Sequence, residues 1–183
     1  LIGQHSQSIL QDYDSVVEID FIFAKSRLAD KMHAVEPILT DDGIIRLKKA
    51  RHPMILKKIV VPTDIYLGES FDTLIITGPN TGGKTVALKT LGLFTLMAMC
   101  GLMIPAADGS QISIFENVLA DIGDEQSIEQ NLSTFSAHMV NIISILEKTD
   151  NRTLVLLDEL GAGTDPVEGA ALAISIIESL RRT

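Results

Sequence analysis

The residues Gly78-Pro79-Asn80-Thr81-Gly82-Gly83-Lys84-Thr85 constrain this chain more than any other stretch, because they match the pattern G-x-x-x-x-G-K-[ST]. The run Thr73-Leu-Ile-Ile-Thr77 precedes them and reads as a buried strand. Val86 to Cys100 follows and reads as a helix ended by Gly101. Glycines let successive backbone N–H groups turn inward around a phosphate, and a helix N-terminus adds its partial positive charge. In that setting Lys84 is expected to reach terminal phosphates, and the Thr85 hydroxyl to bind Mg2+. A glycine-rich turn with an incidental lysine is the plainer alternative. The alignment of strand, loop and helix argues against it.

A second apolar run, Thr153 to Leu157, carries the adjacent acids Asp158 and Glu159 to its end. Ligands of α/β proteins gather at the carboxyl ends of parallel strands. Asp158 is expected to hold the Mg2+ shell, and Glu159 to orient or deprotonate an attacking water. Neighbours on a strand point to opposite sides, so two separate roles are expected. A solvent-facing acid pair is the alternative. Between the two motifs, Asn131-Leu-Ser-Thr-Phe-Ser136 opens a helix whose apolar face is Phe135, Met139, Ile142, Ile143 and Leu146. Ser133 or Thr134 suits an N-cap. A hydroxyl-bearing helix start is also an anion site, and a chain with its own phosphate loop would offer it to a partner's nucleotide.

The remaining elements follow from periodicity and turn chemistry. Residues 1–33 read as one long helix in which Ile2, Ile9, Val16 and Phe23 recur every seven residues, with Tyr13, Leu28 and Met32 on the same stripe. A helix of about 30 residues is roughly 45 Å long, more than a small domain needs, so it is expected to be the end of a lever or arm. Pro37 stops it. Asp42-Gly43 predicts a hairpin, with strands at Ile44–Leu47 and Ile59–Val61. Ile112–Phe115 and Val118–Ile122 are further strand candidates. Asp165-Pro166-Val167-Glu168 has the N-cap, Pro at N1 and acid at N3 of a helix start, and that helix is expected to run to about Arg182. The expected fold is α/β: a central, mainly parallel sheet flanked by helices, with an antiparallel lead-in and the long N-terminal helix before it.

Composition narrows the function. The 183 residues are 46% apolar, which excludes disorder, and only 4% aromatic, which calls for an aliphatic core. The greasiest stretch, Leu91 to Pro105, is interrupted and is shorter than the roughly 20 residues of a membrane span. Residues 1–20 carry neither a basic residue nor an apolar core of a signal peptide. The single cysteine, Cys100, fits a reducing compartment, so a cytoplasmic location is expected. A net charge of −9 argues against a general nucleic-acid grip by this chain alone. Six Lys or Arg and no acid lie between Arg46 and Lys58. That run reads as a solvated face, with a small phosphate-contacting patch as the alternative. The acids at Asp121, Asp124, Glu125 and Glu129 also read as solvated.

Taken together, several motifs resemble the MutS family of ATPases. Gly78-Pro79-Asn80 opens the loop in the manner of ABC-type rather than kinase-type P-loop NTPases. Leu132-Ser133-Thr134-Phe135, Asp158-Glu159 and Gly161-Ala-Gly-Thr164 are similar to that family's motifs, as are Asp20-Phe-Ile-Phe-Ala-Lys25 and Arg51-His52-Pro53. Asp121-Ile-Gly-Asp-Glu-Gln-Ser127 and Gly161 to Gly169 resemble its second bacterial branch, MutS-two. The resemblance implies residues 1–36 as the end of a helical lever domain and 37–183 as an ABC-type ATPase domain. It implies a homodimer that sandwiches ATP and Mg2+, with Ser133 acting in trans, Gly161–Asp165 linking the two sites and Asp124–Gln126 in a coupling segment. The adenine would rest near Val60–Pro62, on Val61 in place of the usual aromatic.

The same resemblance implies an ATPase that works on DNA through other domains, restrains homologous recombination and is associated with collided ribosomes, with no membrane role. Its nuclease would lie in a C-terminal domain. The chain ends at Thr183, ahead of the strand and switch histidine expected next, so it is expected to be a piece of a larger protein. A nucleotide-binding or dimerisation module without turnover is the alternative. A small-molecule kinase is a third reading, opposed by the lack of Lys or Arg from Thr90 to Glu147, where a lid would need arginines.

Overall fold

In the computed structural model, residues 5–56, 58–79, 82–123 and 131–182 are described, the side chains of 131–134 excepted. The chain begins with α1 (Ser6–Met32), then β1 (Ile38–Thr40), β2 (Ile45–Ala50), β3 (Thr63–Leu67) and α2 (Lys84–Met99). It continues with β4 (Gln111–Ser113), β5 (Asn117–Asp121), α3 (Asn131–Lys148), β6 (Thr153–Leu157) and α4 (Pro166–Leu180).

These strands form two sheets. One has four strands in the order β1-β4-β2-β3, with β1 and β4 parallel and the other pairs antiparallel. The other is the parallel pair β5-β6, in register from Asn117 opposite Thr153 to Asp121 opposite Leu157. The expected ABC-type P-loop NTPase fold, with one central and mainly parallel sheet, is therefore corrected. Thr73–Thr77 joins no strand among the described residues, and Ile75 in its middle is 64% exposed. A short apolar run reports a demand for burial but carries no information on which strand will pair with it.

The lead-in departs from expectation for a similar reason. Asp42 and Gly43 do make a turn: the Asp42 carboxylate accepts from the Thr40 hydroxyl at 2.7 Å and the Ile44 N–H at 3.0 Å, and Gly43 has φ 76°. The Gly43 N–H, however, donates to Ser113 Oγ of β4 at 2.9 Å. That bond helps seat β4 between β1 and β2, so no hairpin forms. Residues 59–61 are loop rather than strand, and β2 pairs instead with Thr63–Leu67. Part of the basic run lies on β2, where Arg46 pairs with Glu69 at 2.8 Å and Lys48 and Lys49 are exposed.

A single core joins the two sheets through α2. Leu91, Phe94, Met97 and Ala98 of α2 pack with Ile45, Leu47 and Ile65 of β2 and β3, Ile112 of β4, and Leu154 and Leu156 of β6. The core is aliphatic apart from Phe94. Thr90 and Thr95, buried on α2, return their hydroxyls to the Val86 and Leu91 carbonyls, as buried polar groups must find partners. Gly92 has a packing role: a Cβ there would lie 2.6 Å from Leu156 Cδ1.

α1 has 27 residues, about 40 Å at 1.5 Å per residue. It ends at His33, whose φ of 52° is left-handed, with the Ala34 N–H closing onto the Ala29 carbonyl at 2.9 Å. Only its last turns pack, through Ala29 and Met32. Ile9, Tyr13, Val16 and Phe23 are exposed, but so are Leu10, Val17 and Ile22, so apolar residues surround the helix instead of forming a single stripe. None of the described helices is long and apolar enough to cross a membrane.

Candidate functional site

Two places hold the residues singled out above. The first is the start of α2. Gly83, with φ 78°, occupies the N-cap position, and no side chain among the described residues caps the helix. Its carbonyl takes the Ala87 N–H at 2.9 Å, and the Gly82 N–H donates to the Pro79 carbonyl at 2.9 Å. Gly78 has φ 140° and its carbonyl accepts from Lys84 Nζ, so the lysine folds back over the loop. These positive φ values are open to glycine at little steric cost. Lys84 and Thr85 are half-buried in the first turn of α2. Asn80 and Thr81 lie outside the described residues.

The second place is the end of β6. The Asp158 N–H donates to the Asp121 carbonyl at 2.9 Å, extending the β5-β6 ladder by one bond. Asp158 Oδ1 accepts the Glu159 N–H at 3.1 Å. Both acids lie past Leu157, the last residue of the strand, and Glu159 has a left-handed φ of 48°. The alternation rule that would send neighbouring side chains to opposite sides therefore does not apply to them. Asp158 is half-buried and Glu159 exposed. The two places are joined through the core by the contact of Gly92 on α2 with Leu156 on β6.

Beyond Glu159 the chain turns through Gly161 and Gly163, each with φ 84°, and Gly163 lies against Phe135 of α3. Asp165 then caps α4, its carboxylate accepting from the Val167 and Glu168 N–H groups, with Pro166 at the helix start. The sequence predicts this cap correctly. Ser133 falls within α3 by backbone, but its side chain is outside the described residues. Asp124–Gln126 are outside them as well. Val61, 76% exposed, lies in the loop ahead of β3.

Sequence reasoning missed a polar cluster beside Asp158. Asp121, taken for a solvated acid, is 6% exposed. His138 Nδ1 meets its Oδ2 at 2.8 Å, and Asn141 donates to its Oδ1 at 2.8 Å. His138 and Asn141 are one turn apart on α3, the spacing that brings helical side chains to a common face. That spacing was the available signal. The buried face of α3 runs through Ile142 and Ile145, while Ile143, expected inside, is exposed. Groups of three or more His, Cys, Asp or Glu able to hold a metal are absent among the described residues.

Residues 74–183 match the family model described as MutS domain V, and the chain belongs to that family. It is 62% identical to endonuclease MutS2 of Lachnospira eligens, over 98% of this chain and 23% of that protein. Identity to endonuclease MutS2 of Caldanaerobacter subterraneus is 61%, over 100% of this chain and 23% of the relative. To endonuclease MutS2 of a Geobacillus species it is 58%, over 98% and 23%. The chain thus spans less than a quarter of the length of the curated relatives it matches.

Proposed function

We propose that this chain binds Mg-ATP at Gly78–Thr85 and hydrolyses it, as the nucleotide module of a MutS-type protein. One observation carries the reading: α2 opens at Gly83 with no side-chain cap among the described residues, and Lys84 reaches back to the Gly78 carbonyl. The start of such a helix carries a partial positive charge and inward-turned N–H groups, which suit phosphate oxygens. The Lys84 ammonium then exchanges the Gly78 carbonyl for a phosphate oxygen. Thr85 hydroxyl and Asp158 carboxylate are the hard oxygen donors that Mg2+ takes beside phosphate and water, and they would hold the ion. When bound, Mg2+ neutralises charge developing on the transferred phosphoryl group. Glu159 orients the attacking water and accepts its proton. Asn80 and Thr81 complete the loop, Val61 supports the adenine, and Ser133 serves the partner protomer's nucleotide in a homodimer.

The relatives, endonucleases of the MutS2 type by name, support an endonuclease as the parent protein. In this reading the parent acts on DNA through other domains, restrains recombination, responds to collided ribosomes and is cytoplasmic.

The test is nucleotide-dependent stabilisation. Mg-ATP at about 100 times its Kd should stabilise the fold by roughly 2.7 kcal/mol, and Lys84→Ala should abolish most of that gain. An unchanged melting temperature in a folded sample overturns the proposal. A second reading, binding without turnover, is favoured by the exposed, left-handed Glu159. Phosphate release in samples with intact binding separates the two. Under the first reading, Glu159→Gln keeps binding and loses hydrolysis.

A further inference from the structure

Asp121 is a junction between two elements. Its backbone carbonyl holds the Asp158 N–H at 2.9 Å. Its buried carboxylate holds α3 through His138 at 2.8 Å and Asn141 at 2.8 Å. Asn141 also donates to the Ala120 carbonyl at 3.2 Å, so one amide grips both backbone and side chain of the strand end. A carboxylate oxygen only accepts, which places the imidazole hydrogen on Nδ1. The adjoining Cε1–Nε2 edge of the ring lies beside Gly123, where a Cβ would stand 2.9 Å from His138 Cε1 and 3.3 Å from Nε2. The ring is therefore held by a hydrogen bond to Asp121 and by its close approach to a residue that has no side chain.

A network anchored on one buried carboxylate has a narrow geometry, because each member restricts the next. We propose that Asp121 and His138 are positioning residues: through them α3 sets the placement of Asp158, and with it Glu159, for hydrolysis. This rests on the reading of Asp158 and Glu159 given above. Neither Asp121 nor His138 needs to touch nucleotide for it. Gly123 belongs to the device, since a Cβ there would crowd the ring and force it to shift.

The experiment compares His138→Phe, His138→Asn and Gly123→Ala with the wild type, in the protein at its natural length. His138→Phe keeps a ring but has no donor. His138→Asn puts an amide N–H near the position of Nδ1–H. Mg-ATP affinity, kcat and the hydrogen exchange of the segment containing the Asp158 amide are measured. His138→Phe and Gly123→Ala should lower kcat at least tenfold while Kd for Mg-ATP stays within about twofold. The Asp158 amide should exchange faster than in the wild type, and His138→Asn should recover much of kcat. Unchanged kcat and exchange in His138→Phe overturn the proposal and leave the nucleotide reading standing. Equal loss of kcat, affinity and melting temperature, with no recovery in His138→Asn, assigns the cluster a merely structural role and overturns it too. Wild-type protein that binds but never hydrolyses Mg-ATP overturns it together with the hydrolytic reading.

Discussion

Gly161 and Gly169 meet backbone to backbone. A Cβ on Gly161 would lie 2.3 Å from the Gly169 carbonyl oxygen, and a Cβ on Gly169 would lie 2.3 Å from the Gly161 carbonyl oxygen. The turn after the acid pair is thereby pressed onto the first turns of α4. Helix propensity alone would make Gly169→Ala stabilising by about 1 kcal/mol. Contact with rigid backbone reverses the sign, so a net loss of about 1–3 kcal/mol is expected. For a chain of this size each kcal/mol corresponds to roughly 2–4 °C in Tm. A thermal melt in which Gly169→Ala gains stability would refute the close approach.

Gly92 and Leu156 offer a test of the joint between α2 and β6. An alanine at position 92 meets the tip of a leucine that is buried in the core. Crowding costs about 1–3 kcal/mol and helix propensity returns about 1 kcal/mol, so Gly92→Ala should be destabilising by a net amount of up to about 2 kcal/mol. Leu156→Val, destabilising alone, should relieve the crowding when the two are combined. Denaturant titrations of the single and double variants give the coupling. Simple additivity would mean that these residues do not touch.

Asp165 caps α4 through two backbone N–H groups. Asp165→Ala should lose about 1 kcal/mol, within the 0.5–2 kcal/mol range for such caps, and Asp165→Asn should lose less. Equal stability of all three proteins in urea would show that the cap contributes nothing.

His52 links stability to pH. Its burial, and then the Lys89 ammonium, hold its pKa below the ordinary 6.5. Its Nδ1 also accepts the Met54 N–H at 3.3 Å, a bond the protonated ring cannot make. The unfolded chain therefore takes up a proton before the folded one does. This contribution to stability is complete above the unfolded pKa and is lost as pH falls from there through the folded pKa. In His52→Asn, whose amide oxygen can still accept from Met54, Tm should fall less than in the wild type on going from neutral to mildly acidic pH. Parallel Tm profiles for the two proteins would contradict this.

Features that depend on near neighbours in the chain were legible from the sequence. The Asp165-Pro166 cap, the glycine-rich start of α2 and the turn at Asp42-Gly43 each rest on contacts within a few residues, and each is present. The apolar face of α3 was legible in outline. The tertiary structure decided the pairing: β4 enters between β1 and β2, Thr73–Thr77 takes no partner among the described residues, and β5-β6 stands as a separate pair. It also decided the state of Asp121, which reads as one surface acid among several until β5 and α3 enclose it. The reason is physical: capping and turn bonds close over short loops, whereas strand order and the burial of a carboxylate depend on distant surfaces competing for one another.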